Sequence, residues 1–336
     1  MSITGLGPHG ERAVPADQIV VTEEEAMEAR RRRFSVAVVL HTTASDWSKQ
    51  QLAGIVTTLG RYSAVVIEVV DCAFDWRTQV DVLERLSKSG VDAVISIPIG
   101  NSAVADAHRA ISHAGIKLIL MDNAPTGMLP SSDYATVVSA DNFGLGEIAA
   151  KLLSPHLVVG GIAGVLAYGA DFFATHEREI AFRKWMGAHR QDVEIARAKF
   201  ADVSEVRGAV GGLLDEHPEL SAIFAVWDVP AMQAVTELRE RGLTLPITTI
   251  DLGNEVASEL AWGKSIKGIA AQQPYDQGVA LGLASILALL GRPTPPWMAL
   301  PGLSVTRENV LEAYQVVWHA PAPADTVRGR LAIVGD

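Results

Sequence analysis

The stretch Lys117–Asn123, KLILMDN, is a short apolar run that stops on an aspartate followed by an asparagine. Four other runs also end at an aspartate: Ala135–Asn142 (ATVVSADN), Ala222–Asp228 (AIFAVWD), Ile247–Asp251 (ITTID) and Ala64–Asp71 (AVVIEVVD). Short runs rich in Val and Ile, separated by stretches of helical periodicity, predict buried parallel strands. In open parallel sheets, ligands bind beyond the carboxyl ends of the strands. A carboxylate placed there repeatedly predicts a recessed site lined with hydrogen-bond acceptors, suited to a polyhydroxylated small molecule. The competing reading is structural, because Asp and Asn cap helices and every strand-to-helix turn needs a cap.

Upstream of Lys117–Met121 the chain alternates. Strand Phe34–Leu40, helix Ser48–Tyr62, strand Ala64–Val70, helix Trp76–Ser89, strand Ala93–Ile97 and helix Ala103–Ala114 lead into it. Gly90 and Gly115 fall just after helices, where a left-handed cap favours glycine. The pattern restarts after Tyr134. Helices Leu145–Leu153, Thr175–His189, Ser204–Glu216, Pro230–Gly242 and Glu255–Gly263 alternate with strands Gly161–Ala167, Glu194–Phe200, Ala222–Val226, Ile247–Ile250 and Ile266–Ala271. A long helix, Tyr275–Leu290, follows. Two α/β halves of like grammar predict two doubly wound lobes, and a cleft between domains is a favoured ligand site.

Before the first strand, residues 1–21 are rich in Gly, Pro and mixed polar residues and read as a flexible lead-in. Thr22-Glu23-Glu24-Glu25 matches a capping box. The helix it opens ends in Arg30–Arg33, so acid sits at its positive end and base at its negative end.

At 336 residues with 49% apolar and 20% charged side chains, the composition is that of a globular protein with room for two domains. A net charge of −11 argues against nucleic acid and against anionic lipid surfaces. The single cysteine, Cys72, excludes an intramolecular disulfide and reads as a packed, inert thiol. No apolar run reaches the length of a membrane span. Gly5–Gly10 fits GxGxxG on paper but lacks the preceding strand and following helix that nucleotide binding requires. There is no P-loop, GxSxG elbow, HExxH or Cys/His metal spacing, so no catalytic residue, metal site or cofactor is assigned. Trp47 follows the first strand, and Phe173 and Trp227 lie at comparable junctions in the second half. Core packing competes for each, but an aromatic face there suits the C–H face of a sugar ring.

The segments LILMDN, VVSADNFGLGEIAA, THEREIAF, IFAVWDVPA, TTIDLG and IKGIAAQQPYDQG, in this order and spacing, resemble type I periplasmic sugar-binding proteins of the ribose-binding-protein-like group. The resemblance covers about residues 34–318. It implies an α/β fold of two Rossmann-like lobes with parallel sheets, joined by a three-crossing hinge. Residues 34–140 with 273–301 would form the amino-terminal lobe, 141–272 with 302–336 the carboxy-terminal lobe, and 1–33 an extension with one helix. Carried over residue by residue, the family's ligand contacts fall on Ser45, Asp46, Trp47, Asp122, Asn123, Asp141, Asn142, His176, Arg178, Trp227, Asp228, Asp251 and Gln272, with Phe173 and Phe200 as second-lobe aromatics. Asn123 and His176 stand where the family has arginines, while Arg178 keeps a basic position. Carboxylates at Asp46, Asp122, Asp228 and Asp251 without cationic partners would require a ligand that donates hydrogen bonds.

The resemblance therefore implies a non-enzymatic, monomeric solute-binding protein of an ABC importer. It would capture a neutral or amino monosaccharide or a polyol in the interdomain cleft and deliver it to the permease. It would act in the periplasm or at the cell surface, after removal of a leader that this sequence does not show. A sugar-sensing effector domain of a lactose-repressor-type regulator is the alternative.

Overall fold

The computed structural model describes residues 3–332, which divide into two compact units. The amino-terminal unit holds Gly5–Ala140 and Pro274–Leu300; the carboxy-terminal unit holds Asp141–Gln273, the chain from Pro301 and the first residues up to Thr4. The chain thus passes between units at 140/141, 273/274 and 300/301, and additionally at 4/5.

The amino-terminal unit begins with β1 (Val14–Pro15), α1 (Glu23–Arg32), β2 (Ser35–Leu40), α2 (Asp46–Arg61) and β3 (Val65–Asp71). It continues with α3 (Trp76–Leu86), β4 (Ala93–Ser96), α4 (Ser102–His113), β5 (Lys117–Met121) and β6 (Thr136–Ala140). The carboxy-terminal unit contributes α5 (Asn142–Leu153), β7 (Ile162–Tyr168), α6 (Phe173–His189), β8 (Glu194–Phe200), α7 (Val206–Glu216) and β9 (Leu220–Ala225). Then come α8 (Asp228–Glu240), β10 (Ile247–Ile250), α9 (Asn254–Ala261) and β11 (Ile266–Ala271). The long helix α10 (Pro274–Leu289) and β12 (Trp297–Leu300) return to the first unit. β13 (Leu303–Val305), α11 (Val310–Trp318) and α12 (Ala324–Leu331) close the second.

The first unit carries a seven-stranded parallel sheet in the order β1-β12-β6-β5-β4-β2-β3, and the second a six-stranded sheet, β13-β11-β10-β9-β7-β8, parallel except at β13. Central strands are sealed on both faces, and Val36 to Leu40 are each fully buried. That burial is why they read as unbroken apolar runs.

Two expectations need correction. Val65–Asp71 is not a buried strand; it is the sheet edge, with Val65, Ile67 and Val69 exposed at 58%, 57% and 39%. The lead-in is not flexible either. Val14 and Pro15 pair in parallel with Met298 and Ala299, Gly7 accepts from Gly10 and donates to Glu11, and His9 Nε2 bonds the buried Tyr134 hydroxyl at 3.1 Å. An edge position tolerates Pro15, which has no N–H to give a ladder. The capping box at Thr22 and Glu25 forms in both directions, and Gly90 and Gly115 take left-handed φ of 77° and 82°.

Glycines set the helix crossings that carry the site. A Cβ on Gly54 of α2 would strike the Tyr275 carbonyl oxygen, and one on Gly278 of α10 would strike that of Gln51. In the other unit a Cβ on Gly146 of α5 would strike the Arg178 carbonyl oxygen. Backbone meets backbone at these three points, so the neighbouring side chains are held at fixed height against their sheets.

Candidate functional site

In the amino-terminal unit the ends of β2, β3 and β5 present the predicted residues. Trp47 lies in the first turn of α2, half-buried, with its ring edge-on to His41 at 5.4 Å, and His41 is edge-on to Phe74 at 4.8 Å. The Trp47 indole Nε1 is buried and carries no hydrogen-bond partner. Burial pulls the His41 imidazole down to about 4, against the raising influence of Asp71. The Asp71 carboxylate folds the β2–α2 loop by accepting the Thr43 N–H at 2.8 Å and its hydroxyl at 2.7 Å. Burial pushes the Cys72 thiol up to about 11, in keeping with an inert side chain.

Ser45 caps α2, accepting the Ser48 N–H at 3.1 Å and sharing a 2.8 Å hydroxyl–hydroxyl bond with Ser48. Asp46 faces Lys49 at 3.9 Å, one turn along the same helix. Asp122 follows β5 at a left-handed φ of 60° and is buried. Its Oδ1 accepts the Gln277 Nε2–H at 2.8 Å, and its N–H donates to the Val138 carbonyl at 3.0 Å. Asn123 is half-buried and donates its backbone N–H to Met121 at 2.7 Å.

The carboxy-terminal unit brings four predicted residues into one network. Arg178, buried on α6, donates from Nε to Asn142 Oδ1 at 2.9 Å and from Nη1 to the Val226 carbonyl at 3.1 Å. Asp251 follows β10 at a left-handed φ of 72°, and its Oδ1 accepts the Gln272 Nε2–H at 2.6 Å. Burial pushes the Asp251 carboxyl up, against the lowering pull of Arg178 and the Gln272 amide. The expectation that Asp46 and Asp251 lack cationic partners is therefore corrected, since Lys49 stands beside the first and Arg178 acts on the second.

Half-buried Trp227 stands edge-on to Tyr168 at 5.2 Å and tilted against Phe200 at 5.2 Å. Phe200 is only 1% exposed, so it packs behind Trp227 and offers no open face; its expected contact role is corrected accordingly. Phe173, His176 and Asp228 are half-buried in the first turns of α6 and α8. Asp141 is spent structurally. Its Oδ1 caps α5 through Gly144 N–H at 2.9 Å, and its Oδ2 accepts the Thr4 N–H at 2.7 Å. For Ser45 and Asp141 the capping role accounts for the residue type.

Sequence reasoning missed Gln277, Tyr168, His41 and Glu177. Burial and the Asp141 carboxylate push the Glu177 carboxyl up. Gln277 had a legible signal, a glutamine at the start of the mainly apolar α10, five positions after Gln272. No group of three His, Cys, Asp or Glu able to hold a metal occurs among the described residues.

A periplasmic binding protein domain model matches residues 36–291. The chain belongs to the periplasmic binding protein family. It is 25% identical over 246 residues to the ribose import binding protein of Bacillus subtilis, covering 73% of this chain and 78% of that protein. Among solved structures, an Agrobacterium vitis ABC transporter solute-binding protein bound with α-D-tagatopyranose superposes with a TM-score of 0.78 at 18% identity, covering 86% of this chain and all of that one. A second A. vitis solute-binding protein, with bound allitol, gives 0.73 at 21% identity, covering 84% and 98%. The two α/β lobes are thus the fold of periplasmic binding proteins, a family of non-enzymatic transport components. No helix of the described residues is long and apolar enough to cross a membrane.

Proposed function

We propose that this chain captures a neutral or amino monosaccharide, or a polyol, outside the cytoplasmic membrane and delivers it as a monomer to an ABC permease. The observation that carries the reading is the Asn142–Arg178–Asp251–Gln272 constellation, which reaches the Val226 carbonyl next to Trp227. Two of the five guanidinium N–H donors there go to Asn142 and Val226, and Asp251 balances its charge, so a ligand meets a lining without excess positive charge beside an aromatic side chain. Such a lining fits hydroxyl or ammonium donors on a ring with an apolar C–H face. A sugar acid or sugar phosphate would bring a second negative charge beside the Asp251 carboxylate. The relatives with ribose, tagatose and allitol in their names support the same ligand class.

A thermal-shift panel of D-ribose, D-tagatose, D-arabinose, allitol, D-glucosamine, D-gluconate and ribose 5-phosphate tests this. A neutral or amino member should raise the melting temperature, since a ligand at a hundredfold its Kd stabilises by about 2.7 kcal/mol. A shift confined to gluconate or the phosphate would overturn the charge argument. No shift with any member would overturn the ligand class.

A further inference from the structure

Asp122 and Asp251 share more than a place at a strand end. Each sits at a left-handed φ, 60° and 72°, which non-glycine residues rarely adopt. Each accepts a glutamine Nε2–H on Oδ1, from Gln277 at 2.8 Å in the amino-terminal unit and from Gln272 at 2.6 Å in the carboxy-terminal unit. Both glutamines come from one stretch, Gln272–Gln277 (QQPYDQ), which spans the 273/274 boundary between the units. Both are about 98% or more buried, and both leave their Oε1 buried without a partner.

We infer that Gln277 is a positioning residue for ligand binding through Asp122, the amino-terminal counterpart of Gln272 and Asp251. The inference rests on the reading of both aspartates as ligand acceptors. The orientation of the Gln277 amide is fixed chemically. Its Nε2 donates both to Asp122 Oδ1 and to the Val138 carbonyl at 3.1 Å, and a flipped amide would set oxygen against two acceptors. Oε1 is therefore the acceptor turned away from them.

A brace between α10 and the ends of β5 and β6 needs only the N–H donors, which leaves the buried carbonyl oxygen without a structural role. An unpaired buried acceptor is costly unless a donor arrives. Oriented by this amide, the Asp122 carboxylate suits a ligand with neighbouring donors, such as a vicinal diol or an amino alcohol. The same pairing at Gln272 and Asp251 gives one short segment a recognition head in each unit. Gly278 permits this: the bare Cα next to Gln277 lets α10 rest on the Gln51 backbone and holds the glutamine at the depth of the β5 end.

The test uses the full chain and whichever of D-ribose, D-tagatose, D-arabinose or allitol gives the largest thermal shift. Its affinity is measured by calorimetry at pH 8 and pH 5 and corrected for folded fraction. Gln277→Met should weaken binding at least tenfold at both values. Gln277→Glu is the discriminating variant. Ionised, it cannot donate to Asp122; protonated at low pH, it can. Its affinity should rise at least fivefold from pH 8 to pH 5 relative to wild type. A purely structural brace predicts lower stability with unchanged affinity and no added pH dependence, and that result for folded Gln277→Met or Gln277→Glu overturns the inference. If Gln272→Met loses binding while both Gln277 variants keep it, the inference fails and the proposed function stands. If the wild-type chain binds none of the four, the proposed function fails and this inference falls with it.

Discussion

Arg178 joins more of the carboxy-terminal constellation than any other side chain described. It holds Asn142 and the Val226 carbonyl through its fork and balances the charge of Asp251. Removing one partner of a buried charged set leaves the others unpaired, at a cost of about 3–5 kcal/mol. Arg178→Met should lose about that much in urea denaturation and bind no sugar. Arg178→Lys keeps charge but not the planar fork and should fall between. A wild-type urea midpoint for Arg178→Met would show that the network contributes little to the fold. That Asn142 and Asp251 lie at strand ends was legible from the sequence pattern, whereas Arg178 and Gln272 were reached only through the family resemblance. Which atoms they spend was not legible. The same letters at Ser45 and Asp141 are consumed by Ser48, Gly144 and Thr4, and hydrogen-bond direction has no periodicity to read.

Helices α2 and α10 form the closest helix pair of the amino-terminal unit, and their glycines make that contact possible. A methyl group on Gly54 meets a backbone oxygen, Tyr275 O, so no rotamer change can relieve it. Overpacking typically costs about 1–3 kcal/mol, and a clash with backbone belongs at the upper end. Gly54→Ala should therefore destabilise by about 3 kcal/mol and also weaken sugar binding, because α10 must move and Gln277 moves with it. Gly60→Ala, where an added Cβ meets nothing within 4 Å, is the matched control and should stabilise by about 0.5–1 kcal/mol and leave binding unchanged. Equal urea midpoints for the two variants would refute the argument. Longer strands were readable: Lys117–Met121, Glu194–Phe200 and Ile266–Ala271 form strands with the expected ends, and the four-residue Ile247–Ile250 was marked by the aspartate that follows it. The two-residue β1 and the short β12 and β13 were not, because two to four residues carry no measurable alternation. A Gly/Pro-rich composition likewise cannot report that an edge strand waits beside Val14.

Two imidazoles give the amino-terminal unit a pH dependence that the whole fold should reveal. His108 is fully buried between Val104 and Ser96, with Nδ1 bonded to the carbonyl at 2.8 Å and Nε2 to the hydroxyl at 2.9 Å. Burial pulls it down to about 4, as it does His41. Because the folded values lie below the unfolded value of about 6.5, the native unit keeps both rings neutral while the unfolded chain takes up protons. Their full contribution is present above pH 6.5 and is lost progressively as pH falls toward 4. Each ring should cost about 2 kcal/mol between pH 6.5 and pH 5, at about 1.4 kcal/mol per unit. Carboxylates of this unit held low by partners, such as Glu25 beside Thr22 and Arg292, are lost only at still lower pH, so the window in this unit belongs to the histidines. Urea titrations at pH 7 and pH 5 should show the amino-terminal unit losing about 4 kcal/mol. His108→Gln should be less stable at both values but lose only about half as much between them. If His108→Gln and wild type lost the same amount, His108 would not be held neutral in the folded state.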